Sequence, residues 1–127
     1  MRGIKIRTLV NPGRVTATVN GAALDLRVFD GVALLHMKST GTEAAATTMD
    51  IKIQHSLDGS TGWTDATMPI TGAAMAFTQI VNAATAGQTL EINIADLKPF
   101  IRAVQTLAGT TPAGAAYVSL HAKARAA

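Results

Sequence analysis

The chain has 127 residues, with 11 Lys and Arg against 8 Asp and Glu for a formal net charge of +3, and it has no cysteine. This length fits one domain with one core, and the missing cysteines exclude disulfides and thiolate sites. The mild charge, with no dense Lys/Arg run and no aromatics interleaved with the basic residues, argues against direct nucleic-acid binding. Hydrophobic residues make up 48%, but much of that is Ala and aromatics are only 4%. Burial, at about 25 cal/mol per Å², therefore rests on the Ile, Val, Leu, Met and Phe positions. No apolar run approaches a membrane span of about 18 residues, and no secretory leader is expected after Met1-Arg2-Gly3.

Strand signals dominate the chain from its start. Ile4-Lys5-Ile6-Arg7 alternates with period two and ends at Asn11-Pro12-Gly13. Val15, Ala17 and Val19 alternate with Thr16 and Thr18, and Asn20-Gly21 is a two-residue hairpin signal. Leu24, Leu26 and Val28 alternate next, Asp30-Gly31 repeats the signal, and Val32 to Lys38 is a further strand. The two turns set Ala17 opposite Leu24, Leu26 opposite Leu35 and Leu24 opposite Met37, all apolar pairs. The spacing thus predicts a three-stranded antiparallel meander over residues 15–38 with one buried face. Its other face carries Asp25, Arg27, Phe29, Val32, Leu34, His36 and Lys38, with His36 across from Asp25.

A Gly/Thr/Ala loop is expected from Ser39 to Thr48, then a strand from Met49 to His55, then a turn-rich stretch, Ser56 to Asp65, containing Trp63. Met68–Ile70 and Ala76–Val81 are short strand candidates, and Ala83–Gly87 reads as loop. Leu90 to Ile94 alternates, Asp96-Leu97-Lys98-Pro99 reads as a turn or helical corner, and Phe100–Leu107 is a strand. Gly109–Gly114 is a loop, Ala116–Ala122 closes the domain, and 123–127 reads as a frayed tail. Short strands with turns between them, and no long 3.6-residue period, mean an all-β antiparallel sandwich or barrel in a single domain over 1–127.

Chemistry-bearing patterns are scarce. There is no phosphate loop, nucleophile elbow or zinc-helix pattern. Asp58-Gly59-Ser60 resembles the start of a calcium loop, but the alternating ligands and terminal Glu are missing, so a plain turn is the better reading. His36, His55 and His121 all fall in strands without metal-ligand spacing, and no carboxylate pair suggests acid/base work. The expectation is a non-enzymatic chain with no metal and no cofactor. Its candidate protein-interaction residues are Ile4, Lys5, Ile6 and Arg7, in an N-terminal segment 1–10 that is either an arm or the first strand. Phe29, Val32 and Leu34 join them as apolar residues on a mixed face. Trp63, the only Trp, is either an exposed anchor for a partner or a cap on the end of the core, and the small number of large side chains favours the cap.

The run Ile53-Gln54-His55-Ser56-Leu57-Asp58-Gly59-Ser60 with Trp63-Thr64-Asp65 is followed by Leu90 to Ile94, Leu97-Lys98-Pro99-Phe100-Ile101-Arg102-Ala103-Val104 and Val118 to Ala122. Across residues 49–122 this resembles small virion proteins of tailed bacteriophages, of the head decoration or cement type. That resemblance implies a jelly-roll sandwich on the capsid exterior that reinforces the shell. It also implies contact with the major capsid protein and self-association as a dimer or trimer. The same grammar is similar to discoidin-type jelly-roll carbohydrate-binding modules. This chain departs from that type by having Ala103 and Val104 after Arg102, by lacking terminal cysteines and by being shorter. A tail or neck component of the same virion is the remaining alternative.

Overall fold

In the computed structural model, which describes residues 3–43, 46–81, 85–109 and 112–125, ten β-strands form two antiparallel sheets around a shared core. The strands are β1 (Ile4–Val10), β2 (Arg14–Val15), β3 (Val19–Asn20), β4 (Leu24–Asp25), β5 (Phe29–Thr42), β6 (Thr48–Ser56), β7 (Thr64–Asp65), β8 (Thr85–Asn93), β9 (Phe100–Ala108) and β10 (Gly114–Ala124). One sheet runs β1-β10-β5-β8, with β2 also on β10; the other runs β3-β9-β6-β7, with β4 also on β9. Leaving a strand for one in the opposite sheet, as β5 to β6 and β8 to β9 do, is the double-Greek-key wiring of a jelly roll. The expected all-β sandwich is therefore present.

The two inner faces supply the core. Leu35, Met37, Val118 and Leu120 come from one sheet; Met49, Ile51, Ile53 and Ile101 come from the other, and all are essentially buried. Ala33, Ala103, Ala116 and Ala122 are buried among them. Small inner side chains let larger neighbours interdigitate, and the flexible methionines fill the irregular gaps that remain. Residues 74–80 run beside β6 as an irregular margin of its sheet. Ile53 N–H donates to Met75 C=O (2.9 Å), Phe77 N–H to Ile51 C=O (3.0 Å), and Ile80 N–H to Met49 C=O (2.8 Å). Of the two short strand candidates, Ala76–Val81 forms only isolated bridges at Ala76 and Ile80, and Met68–Ile70 forms none, with Ile70 exposed. The corner expected at Asp96–Pro99 lies two residues earlier, as a single 3-10 turn at Ile94–Asp96 capped by the Asn93 side chain, which accepts from Ala95 N–H (3.1 Å).

The meander over 15–38 does not form. β3 and β4 both pair with β9, and β5 pairs with β10 and β8. An alternating sequence opposes apolar to apolar in any register shifted by two, so agreement between two turns did not identify the partners. Gly21 is absent from the positive-φ glycines, so Asn20-Gly21 is no type I′ turn. This glycine serves close approach instead: a Cβ there would lie 2.8 Å from the Ala103 carbonyl oxygen and 3.2 Å from that of Leu9. Gly21→Ala should therefore destabilise by about 1–3 kcal/mol in reversible unfolding, because backbone rather than a mobile side chain must yield. An unchanged midpoint would contradict this packing.

Gly31 does take positive φ (75°), but inside β5 rather than in a hairpin. His121 opposes Leu34 and Lys123 opposes Asp30, so the pairing slips by two residues there as a bulge. Because the strand continues, Phe29 keeps the inward parity of Ala33, Leu35 and Met37 and is completely buried, which corrects its assignment to a surface face. Leu26 and Leu35 share the core from different elements, with Leu26 N–H bonded to Pro99 C=O (2.8 Å). His36 opposes Ser119 and Thr89, not Asp25.

The expected loop 39–48 is shorter than read, since β5 reaches Thr42; residues 44 and 45 lie outside the described residues. The loop reading of 83–87 is cut back at Thr85, with 82–84 outside the described residues. Within 109–114, residues 110 and 111 are likewise outside, and Gly114 already begins β10. The tail is not frayed as far as it is described. Lys123 and Ala124 are in β10, and Arg125 N–H donates to Val28 C=O (2.9 Å); 126 and 127 are outside the described residues.

Candidate functional site

Residues 4–10 are the first strand of the domain's own sheet. β1 pairs antiparallel with β10, Ile6 opposing His121 and Arg7 opposing Leu120; residues 1 and 2 of the expected arm are outside the described residues. Opposed residues share a face. Lys5 and Arg7, opposite buried Ala122 and Leu120, thus lean toward the inner side at the open edge of the sandwich, where the Arg7 guanidinium lies 5.7 Å from the Phe29 ring centroid. Cations on the inner side of an edge strand blunt it against pairing with foreign strands.

Ile4 and Ile6 point the other way, onto the outer face of the β1-β10-β5-β8 sheet. Ile6 opposes His121, His121 opposes Leu34, and Leu34 opposes Glu91. The next row is Thr8, Ser119, His36 and Thr89. Val32 lies opposite Asn93, and Tyr117 opposite Lys38. The structure thereby gathers four of the eight sequence-identified residues on one face: Ile4 (66% exposed), Ile6 (55%), Val32 (56%) and Leu34 (42%). The charged residues on this face are Lys38, Glu91 and the opposed pair Lys123 and Asp30. Single exposed apolar residues are ordinary, whereas four on one sheet face form a patch. At its centre a groove of about 270 Å³ is lined by Leu34, His36, Thr89 and His121. The two imidazole centroids are 6.5 Å apart, edge to face, and the Ser119 hydroxyl is 3.0 Å from Nε2 of His121. Gly87 leaves room for His36, since a Cβ there would lie 2.9 Å from the ring.

The outer face of the other sheet is organised differently. Arg102 donates from Nε and Nη2 to Gln54 Oε1 (3.0 and 2.7 Å), and Gln54 Nε2 donates to Asp65 (2.9 Å). Lys52 Nζ pairs with Asp65 at 3.0 Å. The Gln54 hydrogen bond and then Lys52 hold the Asp65 carboxyl below its usual range. Trp63 is half-buried under the Arg102 guanidinium, 4.4 Å from its ring. It therefore belongs to this polar network rather than to the end of the core or to the apolar patch. Trp63→Ala should cost about 0.5–1 kcal/mol, the worth of an exposed cation–π pair, and leave partner binding intact. Lost binding at an unchanged midpoint would instead make Trp63 an anchor.

The Asp58 loop is a self-satisfied turn. Asp58 accepts from the Thr61 and Ser60 N–H groups (both 2.9 Å) and from the Thr61 hydroxyl (2.9 Å). These donors hold its carboxyl far below the usual carboxylate range. A depressed carboxylate contributes fully above its ordinary pKa, and that contribution is lost as pH falls from there through the lowered value. His55 accepts from Lys98 N–H (3.3 Å), and partial burial, then the Lys98 charge, lower its pKa. It lies in β6, in the sheet opposite the other two histidines. Among the described residues no group of three or more His, Asp or Glu side chains is placed to hold a metal ion. A depression of about 320 Å³ lies at one end of the sandwich over Leu26, Ile94 and Leu97, with Arg27, Asp30, Lys98 and Arg125 around it. There Arg27 is bound two-pronged to Asp25 (3.0 and 2.8 Å) and stacks on Phe100 at 5.1 Å.

The histidine pair is not legible in the sequence, because the meander expectation sets His36 opposite Asp25 instead of Ser119 and Thr89. Once β5 and β10 are known as neighbours, the outward parity of Leu34 and His121 is enough to find it.

No family model matches this sequence, and no curated protein matches it. Solved structures do match. The structure of the infectious bursal disease virus Gx strain is similar with a TM-score of 0.53 at 9% identity, covering 98% of this chain and 33% of that one. The infectious bursal disease virus VP2 subviral particle is similar with a TM-score of 0.52, also at 9% identity and the same coverage. This chain spans about a third of the length of those viral chains. At this identity the likeness is one of fold: a two-sheet jelly-roll sandwich of the type used by viral capsid domains.

Proposed function

We propose that this chain is a non-enzymatic structural protein of a virus particle, of the bacteriophage head-decoration type. In this reading it binds the major capsid protein on the shell exterior and stabilises the shell, meeting further copies of itself as a dimer or trimer. The contact is made by the outer face of the β1-β10-β5-β8 sheet. One observation carries the reading: the asymmetry between the two outer faces. On one, the charged groups already pair among themselves. On the other, Ile4, Ile6, Val32 and Leu34 stay exposed with few charges around them. A face whose polar groups are satisfied gains little by docking, whereas apolar side chains gain by leaving water. The capsid-type sandwich and the sequence resemblance to decoration proteins support the same reading.

The test is co-sedimentation with shells that lack this chain. The protein should pellet with the shells and show no retention on a glycan array. Retention by glycans without pelleting would replace this reading with the carbohydrate-binding one.

A further inference from the structure

The apolar face has a titratable centre. His36 and His121 sit diagonally across β5 and β10, with ring centroids 6.5 Å apart, in a groove shared with Leu34 and Thr89. We propose that these two imidazoles make attachment through this face proton-sensitive: firm when both are neutral and released when they are charged. The inference rests on the reading of this face as the contact surface, and adds how that contact is regulated.

The groups around the pair decide the sign. From β1 the pair meets Ile6 and Thr8, which are uncharged. From β10 it meets Ser119, with Tyr117 and Lys123 further along the same face. β5 itself contributes Leu34, with Lys38 two residues beyond His36. From β8 it meets Thr89, with Glu91 beside it opposite Leu34. The charges within reach are thus Lys38 and Glu91, with Lys123 opposed to Asp30. Glu91 and Asp30 only balance the two lysines, so no carboxylate is left over to neutralise two imidazolium ions. When the face is covered by a partner, water is lost as well, and the charged form of each ring is disfavoured further. The neutral rings, by contrast, fit an apolar contact and already satisfy one another edge to face, with Ser119 supplying a hydroxyl to His121.

Histidine is the side-chain type whose charge changes between about pH 5 and pH 8, so if only the doubly neutral form docks, attachment weakens across that range. The release occurs as pH falls, and the contact is restored as pH rises.

The test uses particles carrying the full-length protein, either wild type or His36→Gln/His121→Gln. Bound protein is measured by sedimentation at pH 8 and pH 5.5, and unfolding midpoints at both pH values show that the free proteins remain folded. The expected result is wild type bound at pH 8 and largely released at pH 5.5, with the Gln variant bound at both. Wild type bound equally at both pH values overturns the switch and leaves the contact face standing. Release of the Gln variant in parallel with wild type also overturns it, since the protons then act elsewhere. Failure of wild type to bind at either pH overturns the contact face and the switch together.

Discussion

Phe29→Ala should cost about 3–5 kcal/mol of folding stability, the range for deleting a buried aromatic side chain. Phe29 is fully buried, and Arg7 lies over its ring. Its backbone also joins two parts of the fold, with its N–H bonded to Leu26 C=O (3.0 Å) and its residue paired with Ala124. Val32→Ala, three residues on and past the Gly31 bulge, should stay within about 0.5 kcal/mol, because Val32 is exposed. Equilibrium denaturation of both variants checks the contrast. Equal small losses would mean that β5 turns back at Asp30-Gly31 and leaves Phe29 on the surface. Leu26→Ala, in the same core, should cost about 2–5 kcal/mol.

Ile6→Asp combined with Leu34→Asp should leave folding nearly unchanged and weaken attachment to shells by about a hundredfold or more. Both side chains are solvent-exposed, so a carboxylate at either position stays hydrated in the free protein. At a docked face the same carboxylate must shed water without an arranged partner, and about 3 kcal/mol of such penalty corresponds to more than a hundredfold in affinity. Ile6 and Leu34 flank His121 on neighbouring strands, so the pair brackets the histidine groove from both sides. Sedimentation against a concentration series, alongside a melting curve, separates the two effects. Wild-type attachment with a normal melting curve would remove this face from the interface.

The fold class was legible because alternation is a local property. Ile51, Ile53, Leu35, Met37 and Leu120 all face inward with the parity their neighbours imply. The pairing was not legible. A jelly roll sends each strand to a partner far along the chain, as Val19 to Gln105 and Leu35 to Leu120, and local turn signals carry no information about such partners. Two glycines misled for physical reasons. Gly21 permits close approach to Ala103, and Gly31 permits a bulge; each looks in sequence like half of a hairpin turn. For the proposed contact face, Ile4, Ile6, Val32 and Leu34 were identifiable as candidate interaction residues. That they share one face depends on β10 lying between β1 and β5. Phe29 was placed with them only because the supposed hairpin reversed its parity. Lys5 and Arg7 alternate with Ile4 and Ile6, and the same alternation that made the strand visible puts them on the opposite side. Trp63 could be found as unusual but not assigned, because its partner Arg102 is far away in sequence.

The most direct measurement of the central claim is a density map of the particle at a resolution that shows side chains. The account predicts the outer face of the β1-β10-β5-β8 sheet against the shell, with Ile6, Leu34 and the His36–His121 pair covered, and with Trp63 and Arg102 facing solvent. A particle in which Trp63 and Arg102 meet the shell while Ile6 and Leu34 face solvent would contradict it.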